Sequence, residues 1–140
     1  MKGNGKKKRI WLRVLVGLAA GFTVIVGGFL AFVLLGKDTT MALAPKTVPL
    51  ENLADGVYHG NYSGFRWSNT VEVTVKDHRI TGISVVKPQV FIKPETADEL
   101  TKRVKEAQSP DVDVVTGATV DSKGFLQAVE NALESKAGND

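Results

Sequence analysis

The chain has 140 residues, no cysteine and a formal charge of +3. The missing cysteine excludes disulfides, cysteine-ligated iron–sulfur clusters and thioether-linked haem. Any chemistry must therefore use a bound organic cofactor or oxygen ligands. The charge is unevenly spread: six cations (Lys2, Lys6, Lys7, Lys8, Arg9, Arg13) come first with no acid among them, and the rest of the chain holds twelve Lys/Arg against all fifteen Asp/Glu. The downstream part is thus mildly acidic, and no nucleic-acid partner is expected.

After this basic head (residues 1–13), Val14 to Leu35 gives 22 consecutive residues without a charge or a proline. As a helix rising about 1.5 Å per residue, that run covers roughly 33 Å, enough for the hydrocarbon core of a bilayer. Trp11 and Arg13 stand at its entry edge, where an amphipathic ring and a snorkelling cation are stable. The basic head predicts a cytoplasmic N-terminus and an exported C-terminal part. Ala42-Leu43-Ala44 has the small-x-small form of a signal-peptide cleavage site. The apolar run is longer than a signal core, however, and Pro45 would follow the cut, so a retained anchor is the reading adopted. Gly17 and Gly21 match the GxxxG helix-packing pattern, which common use of glycine in spanning helices also explains.

Residues 36–54, with Pro45 and Pro49 and no sustained periodicity, read as a linker. The 86 residues from 55 to 140 are enough for one small core. Val57 to Tyr62 reads as a strand. Val71 to Val75 alternates apolar and polar residues, and Arg79 to Val86 is rich in β-branched ones, so two further strands are joined by a tight hairpin. Asp77 and His78 tolerate the positive φ that such a turn demands. Pro94 opens a helix with Glu95, Asp98 and Glu99 at its positive end and Ala97, Leu100, Val104 and Ala107 on one face. A short strand, Val112 to Val115, and a last helix from about Ser122 to Ser135 complete the order β-β-β-α-β-α. The expected fold class is α+β: a small antiparallel sheet packed with two helices, preceded by one transmembrane helix.

Familiar catalytic constellations are missing. His59 and His78 lie in separate segments without metal-ligand spacing and read as solvated residues, and no metal site is expected. No P-loop or GxGxxG is present. Asn61-Tyr62-Ser63 has the form of a glycosylation sequon. The distinctive stretch is Asp113-Val114-Val115-Thr116-Gly117-Ala118-Thr119-Val120-Asp121-Ser122: a strand, a glycine turn with two hydroxyls, then a helix start. Such a junction presents free backbone N–H groups and the positive end of a helix dipole, so it can hold a phosphate without a lysine. The plain alternative is a glycine turn that only caps a helix.

Thr116-Gly117-Ala118-Thr119 with Asp113 upstream resembles the acceptor motif of the FMN-binding domain family, found in subunits of sodium-pumping and Rnf-type electron-transport complexes. The likeness extends to Asp55-Gly56-Val57-Tyr58, to Val71–Val75 with Lys76-Asp77, and to Ala128-Val129-Glu130-Asn131-Ala132-Leu133. It implies FMN as cofactor, attached through a phosphoester to Thr119 by an exported flavin transferase that uses FAD and magnesium. Asp113, Thr116, Gly117 and Ala118 would be what that enzyme reads. Thr119 has no base near it in sequence except Asp121, which suits attachment by a separate enzyme. Tyr62, Phe65 and Trp67, in the glycine-flanked stretch after the first strand, are candidates to stack on the flavin ring, with ordinary packing as the alternative for each. The expectation is a membrane-anchored extracytoplasmic electron carrier, rather than an enzyme with its own substrate, that exchanges electrons with membrane partners such as a quinol-linked dehydrogenase. A non-covalent FMN binder and a redox-inactive anchored interaction module are the alternatives.

Overall fold

The computed structural model describes residues 4–135. The chain divides into two units, Met1–Leu34 and Leu35–Asp140.

In the first unit a single helix, α1 (Asn4–Leu34), takes up the basic head as well as the apolar run and buries none of its residues. A run this apolar suits a lipid environment. It is long and apolar enough to cross a membrane and fits a single-pass anchor, although a signal sequence meets the same description.

The second unit is a two-layer α+β domain. Its sheet has the order β1-β2-β3 (Gly56–Tyr62, Asn69–Lys76, Arg79–Lys87) and is antiparallel throughout. Asn69, Val71, Val73 and Val75 alternate inward along β2, the central strand. Each buried valine contributes about 1.5–3 kcal/mol by leaving water. Opposite them lie Phe125, Leu126, Val129 and Leu133 of α4 (Thr119–Glu134), and Leu100 and Val104 of α3 (Pro94–Ala107). The other sheet face is open, and His59 stands there 3.4 Å from Glu72, its partner in register. Lys76 pairs with Arg79 across a two-residue turn in which Asp77 (φ 49) and His78 (φ 59) both take the left-handed conformation, as the hairpin twist demands.

β1 approaches α4 closely at Gly60. A Cβ there would stand 2.0 Å from the Ala128 carbonyl oxygen and 2.4 Å from the Ala132 nitrogen. Only glycine allows strand and helix backbones to meet at this spacing.

Two expectations need correction. Val112 to Val115 is not a strand, so the order is β-β-β-α-α. Its backbone is served by side chains instead: Arg103 Nη1 donates to the Asp113 and Val114 carbonyls at 2.9 and 3.1 Å, and Val115 N–H donates to Ser122 Oγ at 3.0 Å. Val112 and Val115 still pack against the core, so the apolar pattern reports burial and not a ladder.

Residues 36–54, expected as a linker, carry a short helix, α2 (Lys37–Met41), and a 3₁₀ turn at Leu50–Asn52. Leu50 joins the core, and Thr40, fully buried, shares a 2.8 Å hydrogen bond with the Tyr62 hydroxyl. Lys46 N–H donates to Glu130, and Lys123 Nζ donates to the Leu43 carbonyl. These partners lie more than twenty residues away, which is why local periodicity does not show the packing.

α3 ends at Gln108, which takes the left-handed conformation (φ 55). Its side-chain amide accepts from Ile80 N–H at 2.7 Å and donates to the Ile80 carbonyl at 3.1 Å. The amide thereby occupies the outer edge of β3.

Candidate functional site

The segment singled out in the sequence forms a loop that feeds directly into α4. Gly117 sits at φ +81, and a Cβ there would meet nothing within 4 Å, so the need for glycine is conformational and the space above it is open. Ala118 N–H closes the turn on the Val115 carbonyl at 3.0 Å, and Ser122 N–H opens the helix on the Ala118 carbonyl at 2.8 Å. Ser122, fully buried, locks the junction, since its Oγ donates to the Ala118 carbonyl at 2.7 Å while accepting from Val115 N–H. Ala118 occupies the cap position and no side chain caps the helix. The first amides of α4 thus face outward with the positive end of the dipole. Thr119 is the first helical residue and half-buried; Thr116 and Gly117 are exposed. Asp113 is exposed beside an open polar depression of about 570 Å³ that Arg103 and Asp111 also line.

Behind the first turn of α4 lies a group of buried polar atoms that lack hydrogen-bond partners: Trp67 Nε1, Asn69 Oδ1, Gln89 Oε1 and Asp121 Oδ1. They belong to one neighbourhood. Gln89 Nε2 donates to the Asp121 carbonyl at 2.9 Å, and Asn69 Nδ2 bonds the Trp67 and Gly124 carbonyls at 3.1 and 2.9 Å. Arg66 lies over the Trp67 ring, 4.0 Å from its centroid, and 3.9 Å from the Asp121 carboxylate. Burial raises the Asp121 pKa above the ordinary carboxylate range, while Arg66 and the facing indole N–H of Trp67 act the other way. That indole falls short of hydrogen-bond geometry, so its pull is the weaker. Orphaned buried polar atoms are uncommon in folded proteins, and a cluster of them marks a place where a ligand or water completes the bonding.

Gln89 also lines a groove of about 340 Å³ whose walls are Val85, Pro88, Ile92, Pro94 and Ala97, with Asp98 at its border. An apolar slot with few polar groups, next to an uncapped helix start, suits a ligand that joins a planar aromatic part to an anionic one. The site residues fit such a group.

The three aromatics of the sequence reading sit in different settings, although the Tyr62 ring and the Trp67 carbonyl both lie against Gly124 beside Gln89. Trp67 is buried beneath Arg66. Tyr62 is half-buried, its hydroxyl bonded to Thr40 and its ring close to Gly64. Phe65 is 61% exposed. Sequence reasoning passed over Arg66, Asn69, Gln89 and Arg103, and took Ser122 only as a helix start. Gln89 and Asn69 carry one signal, a polar residue inside an otherwise apolar pattern, but nothing local tells a buried amide from a solvated one.

A glycine turn that feeds an uncapped helix beside an apolar groove suits a phosphate-bearing aromatic cofactor. Residues 64–134 match the model of the FMN-binding domain. The chain belongs to that family, and FMN is its cofactor. It is also 33% identical over 100 residues to an uncharacterized protein of Treponema pallidum, a match covering 70% of this chain but 28% of that protein's length.

Proposed function

We propose that the protein is a membrane-anchored FMN carrier that exchanges electrons outside the cytoplasm, its flavin held by a phosphoester to Thr119 Oγ1. The observation that carries this reading is the uncapped start of α4. Thr119 stands there as first residue, locked by Ser122 and backed by the orphaned polar atoms of Trp67, Asn69, Gln89 and Asp121.

When bound, FMN supplies the redox chemistry. The chain's own residues do the rest. The α4 amides and the Arg66 guanidinium would neutralise the single charge left on the phosphodiester. Gln89 and the apolar walls of the neighbouring groove would shield one side of the ring from water. Gly117, open above, would leave room for the attaching enzyme, and the depression beside Asp113 gives that enzyme a surface to read. Among the described residues no side-chain base is bonded to Thr119, so the transferase would take up the proton lost from its hydroxyl. The transferase would draw the FMN phosphate from FAD, with AMP as the leaving group. The basic residues ahead of the apolar run support a cytoplasmic N-terminus and an exported domain, where such a transferase works. Partners would then be membrane redox proteins, among them quinol-linked dehydrogenases.

The test is in-gel flavin fluorescence after denaturation of protein co-expressed with a flavin transferase. Wild type and Thr119→Ser should glow, and Thr119→Ala should not. Flavin that is present in the native protein but lost on denaturation moves the reading to non-covalent binding. Absence of flavin from wild type under these conditions refutes the carrier.

A further inference from the structure

We infer that the end of the domain bearing Phe65 and Phe91 rests on the lipid surface of the membrane. Both side chains are largely exposed, at 61% and 66%. Both backbones take the left-handed conformation, φ 54 and φ 70, which is strained for a bulky residue and marks a position held by its surroundings. Val90 N–H donates to the Arg66 carbonyl at 2.9 Å, tying the two loops together. The rings therefore share one end of the molecule, with exposed Val90 between them.

The sheet register says which end. Tyr62, Asn69 and Lys87 lie at this end, and Gly56, Lys76 and Arg79 at the other, about 24 Å away at 3.4 Å per residue along β2. Gly36 belongs to the aromatic end: a Cβ on it would stand 2.7 Å from Phe65 Cδ2 and 3.1 Å from the Gly64 carbonyl oxygen. Gly36 is also the second residue after Leu34, where α1 ends. Two residues span at most about 7 Å. Covalent continuity alone thus keeps the Phe65 loop within reach of the bilayer interface, whatever the angle between helix and domain.

Aromatic rings are stable at that depth. Lys37, Lys87 and Lys93, exposed at the same end, would meet anionic headgroups. A lipid surface accounts for exposed rings, lysines and short tether together. The inference rests on reading α1 as a retained anchor. It also brings the first turn of α4 toward the membrane, since Asp121 is bonded to Gln89 beside Phe91.

The chain's lack of cysteine makes the test direct. Full-length protein carrying one cysteine at a time (Phe65→Cys, Phe91→Cys, Ser63→Cys, Asp77→Cys) is labelled with an environment-sensitive fluorophore. It is then reconstituted into phosphatidylcholine–phosphatidylglycerol vesicles containing nitroxide lipids. Labels at 63, 65 and 91 should lose about half their emission or more, as expected for groups 5–10 Å into the headgroup region, while the label at 77 keeps its own. Ser63→Cys leaves both rings in place and so covers loss of docking through loss of a ring. Equal emission at all four sites in protein that resists carbonate extraction overturns the docking and spares the anchor. Protein washed off by carbonate overturns the anchor itself. Labels shielded only in native membranes, and not in pure lipid, overturn lipid as the occupant and point to a protein.

Discussion

Gly60→Ala is the sharpest perturbation of the contact that positions α4. The added Cβ would lie 2.0 Å from the Ala128 carbonyl oxygen and 2.6 Å from Ala132 Cβ. Carbon–oxygen contacts are comfortable near 3.3 Å, so β1 and α4 must separate by more than about 1 Å. The atoms in conflict are mostly backbone, and no rotamer change relieves them. Overpacking of this kind costs about 1–3 kcal/mol, and the rigid setting puts Gly60→Ala at about 3 kcal/mol. For a domain near 100 residues that lowers Tm by about 12–24 °C. The assay is thermal unfolding followed by near-ultraviolet circular dichroism of the full chain in detergent. Gly56→Ala is the control, because a Cβ there meets only Tyr58 at 4.0 Å, and it should be neutral or slightly stabilising. A Gly60→Ala melting temperature within about 3 °C of wild type, under 1 kcal/mol, would refute the close-contact argument.

Further outcomes concern the site and its supports. Ser122→Ala removes the bonds to Val115 and Ala118 and should cost about 1–2 kcal/mol; it should also lower the flavin fluorescence per mole of protein, read on the same gels as Thr119→Ala. Asp121→Asn removes a carboxylate whose pKa burial raises. The ionised form is the destabilised one, so the folded state gains stability as pH falls through the raised pKa and loses it as pH rises. Asp121→Asn should therefore melt higher than wild type at pH 7–8 in flavin-free protein, with the difference vanishing in acid; a constant difference would contradict the burial argument. Tyr62→Phe loses the hydroxyl bond to Thr40, worth about 1 kcal/mol, and should speed tryptic cleavage after Lys46 without changing the core.

Legibility in the sequence followed the range of the interactions. The hairpin, the alternation along β2 and the α3 start at Pro94 rest on neighbours a few residues apart, and each stands where local rules put it. α4 was found with its start three residues late, because Thr119 and Val120 contribute little to the apolar face that reveals the helix. The strand expected at 112–115 misled because burial and β-branching look alike whether a backbone pairs with a strand or with Arg103 and Ser122. The strap at 36–54 and the Asn69–Gln89–Asp121 neighbourhood depend on partners 22 to 84 residues away, which no window of the sequence brings together.

The Gln108 amide on the outer edge of β3 bears on how copies of this protein treat one another. A free strand edge invites another chain to add to it. By supplying one acceptor and one donor to Ile80, Gln108 imitates one rung of a neighbouring strand and takes that position away from an intruder. The residue that ends α3 thus also covers part of an otherwise open sheet edge.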